Sequence, residues 1–339
     1  MTVALGGRAV GQGQPAFILA EVASAHQGVK AQAFALARAA RVAGADGVKF
    51  QLFRAAELVA PTDSRFATFS KIELSEFDWG RVLDQAAGLP IAVLADVFDA
   101  PSLALGEAHG VAAFKIHSTD MENPDFIRKV AATGKPLLLS TGGLGLGAVE
   151  SALESAGGEG NTQIILLHGV QNFPTRIEDA NLRYLGTLKA TFGLPVGFLD
   201  HVDGGSPLAR LLPALAVALG ADLVEKHLTL DRSARGFDWE SSLDPAPFRQ
   251  MVELLRQAEG SFGSTVLKLE ESAERYHRLM RRAVHSRLPL RKGEPLAPEQ
   301  IALVRSQDGL APAEAPRILG RKARGDIPPW TPLAEEFFE

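Results

Sequence analysis

Two short apolar runs near the middle of the chain each end in a histidine, at Leu199-Asp200-His201 and at Glu225-Lys226-His227. Neutral imidazole is a ligand for borderline divalent metals, and a pair on neighbouring strands leaves coordination positions open for substrate and water. Lys49 and Lys115 stand inside two other apolar runs. A lysine there has lost its solvent and needs an anionic partner or a depressed pKa. Two of them imply a bound phosphate or carboxylate, or else one is a Schiff-base nucleophile. The segment Thr141-Gly142-Gly143-Leu144-Gly145 adds backbone N–H groups suited to an anion, but as a dinucleotide fingerprint only 143–148 fits the spacing.

Such groups need elements that converge them. Apolar runs recur at 17–22, 47–52, 91–97, 112–116, 136–140, 163–168, 195–201 and 223–230, and between them lie stretches such as 31–43, 123–132, 180–191 and 207–219 with apolar residues three and four apart. Eight strand-then-helix units predict an α/β fold, a (β/α)8 TIM barrel, in which chemistry gathers at the C-terminal ends of the strands. Those ends are polar: Glu21 and His26; Lys49 and Gln51; Asp96 and Asp99; Lys115, His117 and Ser118; Ser140; His168 and Gln171; Asp200 and His201; Glu225 and His227. Five of the eight histidines fall there. A lone histidine at a strand end is more often a packing residue, but the pair beside carboxylates points to a metal, with Asp200 and Glu225 expected to orient the imidazoles.

The N-terminal stretch around Gly6-Gly7 reads as a hairpin that could plug the barrel floor. Past residue 260 the pattern changes: 268–282 is rich in Glu and Arg, and the remainder is short runs punctuated by Pro and Gly. The expected division is a barrel over 1–262, a linker over 263–282 and a small β-rich module over 283–339. With no cysteine, disulfides and thiolate-ligated metals are excluded. A net charge of −5 argues against nucleic acid as partner, and no run is long enough for a bilayer span. The start of the chain lacks a signal-peptide pattern, so a cytoplasmic enzyme acting on a small molecule is expected.

The motifs Ala20-Glu21 with His26-Gln27-Gly28, Val48-Lys49-Phe50-Gln51, Phe114-Lys115 with Ser118, Ser140-Thr141-Gly142, Asp200-His201 and Glu225-Lys226-His227 together resemble the N-acetylneuraminate (sialic acid) synthase family. The tail, with Arg291-Lys292-Gly293 and Val304-Arg305, resembles that family's C-terminal antifreeze-like (SAF) domain. The resemblance implies condensation of phosphoenolpyruvate with an N-acylated hexosamine aldehyde, giving a nonulosonic 2-keto acid and phosphate. It implies Mn²⁺ or Mg²⁺ on His201 and His227; Lys49, Lys115, Ser118 and Ser140 on phosphoenolpyruvate; Glu21 and Gln51 at the reacting centre; and Asp238 on the sugar. It also implies a domain-swapped homodimer in which Arg305 reaches the partner's site.

The chain departs from that family's pattern at substrate contacts. Asp96 stands where a phosphate-binding threonine is expected, Asp120 where a glutamate is, Gln171 for an asparagine or serine, and Phe173 for a sugar-contacting tyrosine; Leu199 and Trp239 also differ. Two other readings stay open: a Schiff-base aldolase using Lys115, and a non-catalytic sugar-binding relic of the barrel.

Overall fold

Eight parallel strands close into the expected barrel, in the order in which the chain supplies them. The computed structural model describes residues 1–158, 160–264 and 266–339. A hairpin comes first, β1 (Thr2–Leu5) and β2 (Arg8–Gly11), turned by Gly6 and Gly7 at φ +55° and +87°. Positive φ at both central residues is what a tight hairpin turn demands, and glycine meets it without a Cβ clash. The barrel strands are β3 (Phe17–Glu21), β4 (Gly47–Leu52), β5 (Ala92–Val97), β6 (Ala113–Ile116), β7 (Leu137–Ser140), β8 (Ile164–His168), β9 (Val196–Asp200) and β10 (Leu223–His227). Each lies within its predicted run; β10 ends three residues early, at His227, beyond which Leu228 bridges Leu243.

Outside the barrel run α1 (Lys30–Val42), α2 (Ala55–Leu58), α3 (Phe66–Ile72), α4 (Glu76–Ala87), α5 (Ala100–Ala108), α6 (Pro124–Ala131), α7 (Leu146–Gly157), α8 (Tyr184–Phe192), α9 (Leu212–Ala218) and α10 (Pro245–Ser261). Local signals start several of them. Ser75 caps α4 by accepting from the Asp78 N–H, Asp99 caps α5 from Ser102, and Asn123 caps α6 from Phe126. The stretch 207–219 is not one helix: a 3₁₀ turn at Pro207–Arg210 precedes α9, whose first turn contains Pro213.

Alternation along the strands divides the core in two. Val48, Phe50, Ala95, Phe114 and Val224 face outward and pack under the helices. Phe17, Leu19, Leu94, Ala113, Leu138, Ile165, Leu167, Leu199 and Leu223 face inward, where Val3, Leu5 and Val10 of the hairpin join them. Gly47 makes room in this layer, since a Cβ there would lie 2.8 Å from the Phe17 ring. The hairpin thus closes the floor as the sequence predicts, and polar chemistry is confined to the other end.

The chain divides into compact units at Met1–Gly263 and Ser264–Glu339. In the second, the segment read as a solvated connector carries α11 (Glu271–Met280), with no buried residue. Then β11 (Arg282–Ser286) pairs antiparallel with β12 (Ile301–Arg305), over a core of Val284, Leu290, Leu296, Ile318, Ile327, Leu333 and Phe338. No helix among the described residues is long and apolar enough to cross a membrane.

Candidate active site

The inward parity that builds the floor continues two residues further along each strand, and there it delivers charge. Leu19 is followed on the same face by Glu21, Leu94 by Asp96, Ala113 by Lys115 and Leu223 by Glu225, with Lys49 level with Glu21 on the neighbouring strand. All five are buried, with Lys49 and Asp96 at 0 % exposure. Glu225 bridges the lysines, its carboxylate 3.0 Å from Lys49 Nζ and 3.0 Å from Lys115 Nζ. Asp96 Oδ2 lies 3.4 Å from both ammoniums, and Glu21 pairs with Lys49 alone. Three carboxylates therefore enclose two ammoniums.

The electrostatics follow from that count. Burial pushes the Glu21 carboxyl up to about 7, against the pull of Lys49 and with Glu225 adding to the rise. Burial would raise Glu225 as well, but Lys115 and Lys49 outweigh it and hold that carboxylate well below its usual range. Lys49 loses solvation, yet Glu21, Glu225 and Asp96 keep its ammonium well above its ordinary pKa.

Beside this cluster His201 and His227 face each other with ring centroids 5.2 Å apart. Burial drives His201 down to about 4 and His227 well below the ordinary histidine value, so both imidazoles are neutral. His201 Nδ1 lies 2.9 Å from the Val170 carbonyl, which can only accept, so Nδ1 carries the proton and Nε2 keeps a lone pair. His227 Nδ1 is buried without a hydrogen-bond partner. These are ligand-like imidazoles. Among the described residues no group of three or more His, Cys, Asp or Glu is arranged to hold a metal ion; the two imidazoles would hold a divalent ion only with substrate and water completing its shell.

A cavity of about 450 Å³ opens over both groups. Glu21, Gln51, Lys115, Gln171, Phe173, His201, His227 and Asp238 line it, which unites eight of the predicted site residues. Phe173 packs against His201 with ring centroids 4.5 Å apart and planes tilted by 48°, and Asp238, at φ +60°, accepts from the Ser24 N–H at 3.1 Å. Lys49 and Asp96 lie behind the lining, in the ion cluster. Ser140 is fully buried with Oγ unpartnered, and Ser118 is buried in the 3₁₀ turn that follows β6. Asp120 is half-buried, accepts from Thr119 Oγ1 at 3.1 Å, and does not line the cavity. Arg305 is exposed on β12 of the second unit.

Three expectations are corrected. Asp200 and Glu225 do not orient the imidazoles: Asp200 faces outward and pairs with Lys226 at 3.2 Å, Glu225 serves the lysines, and a backbone carbonyl holds His201. His168 follows the inward Leu167, so it points outward, to the Ala180 carbonyl at 3.2 Å and the Tyr184 ring. His26 packs on Trp79 with its Nδ1 accepting from the Gly28 N–H. Sequence reasoning also passed over the far wall, where α2, α3 and their surroundings supply Leu58, Val59, Arg65, Thr68, Phe69 and Ile72. The long interval between the β4 and α4 segments, with no strand of its own, was the available signal.

The comparison with known proteins is decided by a family model described as the NeuB family, which matches residues 36–267. The chain belongs to the NeuB family. A second model, the SAF domain, matches residues 281–339. The chain is 33% identical to the N,N'-diacetyllegionaminic acid synthase of Legionella pneumophila over 97% of this chain and 96% of that protein, and 32% identical to a pseudaminic acid synthase of Campylobacter jejuni over 92% and 93%. The crystal structure of the N-acetylneuraminic acid (sialic acid) synthetase of Leptospira borgpetersenii, in complex with citrate, superposes with TM-score 0.76 at 29% identity, covering 81% of this chain and 94% of that one. This NeuB member is thus a sialic acid synthase-like enzyme, and its site residues occupy the barrel end at which such folds do chemistry.

Proposed function

We propose that this NeuB member condenses phosphoenolpyruvate with an N-acyl hexosamine aldehyde and water to give a nonulosonic 2-keto acid and phosphate. One observation carries it: a single cavity is lined by Lys115, which Glu225 links to the buried Lys49 behind it, and by a neutral imidazole pair, the two groups that an anionic enol donor and an aldehyde acceptor each need. Lys49 and Lys115 bind the donor's anionic groups, and Ser118 and Ser140 donate to its oxygens; the unpartnered Ser140 Oγ supports that role. Gln51, Gln171, Phe173 and Asp238 position the acceptor. A divalent Mn²⁺ or Mg²⁺ held by His201 and His227 would supply Lewis-acid stabilisation of the negative charge that develops on the aldehyde oxygen. Carbon 3 of the enol forms the new carbon–carbon bond, water adds at carbon 2, and phosphate leaves. Glu21, with its pKa near 7, can hold or release the proton of that water at neutral pH.

The relatives named for legionaminic and pseudaminic acids support a nine-carbon product. A phosphorylated donor fits the cytoplasm, and the domain-swapped dimer, with Arg305 completing a partner's site and the module boundaries at 262 and 283, belongs to the same proposal. An aldolase through Lys115 fits less well, because a Schiff-base nucleophile must be neutral and this ammonium touches two carboxylates. The test is phosphate release that requires phosphoenolpyruvate, an acylamino sugar and a divalent ion together. Absence of release across N-acetylmannosamine and a panel of mono- and diacylamino hexoses would reject the reaction, and borohydride trapping with pyruvate would establish the aldolase.

A further inference from the structure

We propose that Asp96 is a built-in competitor for the donor: its carboxylate occupies positive charge that Lys49 and Lys115 would otherwise offer, and so sets how tightly the anionic substrate is held. The inference rests on the reaction proposed above. Among the described residues, the cationic side chains lining the cavity are Lys115 and Arg65. Each is paired with acid: Asp63 accepts from Nε and Nη2 along one edge of the exposed Arg65 guanidinium, at 3.0 and 2.9 Å, and Lys115 contacts Glu225 and Asp96. Behind it Lys49 contacts Glu21, Asp96 and Glu225. Even with Glu21 protonated, the other two carboxylates balance both ammoniums, so the resting site carries no surplus positive charge for a donor that bears a phosphate and a carboxylate.

Of the two shared carboxylates, Asp96 is the displaceable one. Glu225 holds both lysines at 3.0 Å, whereas Asp96 reaches them only at 3.4 Å. Its second oxygen, Oδ1, is buried with no hydrogen-bond partner, so half of this carboxylate is desolvated without a donor to compensate it. An arriving anion gains the lysines by pulling them from Asp96, and it then sits beside a like charge in a site shielded from water.

The experiment is calorimetric titration of the full-length protein with phosphoenolpyruvate and, separately, inorganic phosphate, in chelator and without sugar. Asp96→Asn and Asp96→Thr should bind both anions about tenfold tighter or more, the scale of one like-charge contact in a partly buried site. Asp96→Glu, which keeps the charge, should not tighten them, and neutral sugar binding should stay within about twofold in all three. Equal or weaker anion binding by both neutral variants would overturn the inference, as would tightening by Asp96→Glu. Failure of the reaction is read separately: wild-type enzyme that releases no phosphate with any sugar rejects the synthase, while the phosphate titration still decides whether Asp96 competes for the lysines.

Discussion

His201 gives its Nδ1 proton to the Val170 carbonyl at 2.9 Å, and that one bond fixes which nitrogen faces the cavity. The carbonyl belongs to the loop after β8, so the imidazole is oriented by backbone rather than by a carboxylate. Replacing His201 by Ala should abolish binding of Mn²⁺ to the stripped protein, as read by electron paramagnetic resonance, with thermal stability close to wild type. Unchanged Mn²⁺ affinity in both His201→Ala and His227→Ala would remove the pair from any metal role.

Lys49 is the member of the ion cluster whose loss costs most. Lys49→Met leaves Glu21, Asp96 and Glu225 with the single ammonium of Lys115, and removal of one partner from a buried ion group costs on the order of 3–5 kcal/mol. Adding Glu21→Gln removes one of the stranded charges and should recover part of that loss. Denaturant unfolding of the single and double variants checks this; additive losses would mean the two groups do not interact.

His26 predicts a pH dependence. Burial holds its folded pKa at about 4, below the ordinary 6.5, so the unfolded chain takes up a proton that the folded protein refuses. Its contribution is therefore complete above pH 6.5 and lost as pH falls toward 4, by up to about 3 kcal/mol. Replacement by Phe loses the Gly28 hydrogen bond at every pH and, with no imidazole to protonate, lacks this slope. The difference in unfolding free energy between wild type and His26→Phe should thus narrow as pH falls from 6.5 to 4; a constant difference would show that His26 is protonated in the folded state.

Phe173 covers the imidazole pair, 4.5 Å from His201 and 5.8 Å from His227 between ring centroids. Phe173→Ala should raise the KM for the sugar about tenfold, the worth of one aromatic contact, with the donor's KM nearly unchanged. Equal rises in both would place Phe173 on the donor side instead.

What could be read in advance depended on parity. The eight strands, the hairpin floor and the inward Glu21, Lys49, Gln51, Lys115 and His227 all follow from runs whose alternate residues are apolar, because period-two geometry carries one face inward without further information. His168 and Asp200 carry the lesson in reverse. Each follows an inward leucine, at 167 and 199, so the same rule points them outward, and proximity to a strand end was a poorer guide than register. Two features lay beyond it. The far wall comes from α2 and α3, whose positions are set by packing rather than by period, and the sharing of Glu225 between two lysines brings together three strands distant in sequence.

The hairpin that stoppers the barrel has a consequence for traffic. Val3, Leu5 and Val10 complete an apolar plug beneath the ion cluster, and no ion or water file can thread such a layer. Among the described residues the cavity over the ion cluster lies at the opposite end of the strands from this plug, so in the proposed reaction donor and sugar would enter, and phosphate and the bulkier product would leave, by that same end. In that reaction a reactant lodged deepest would arrive first and its remnant would wait for the outer molecule to clear, so the floor, far from any atom that reacts, would set the order of events.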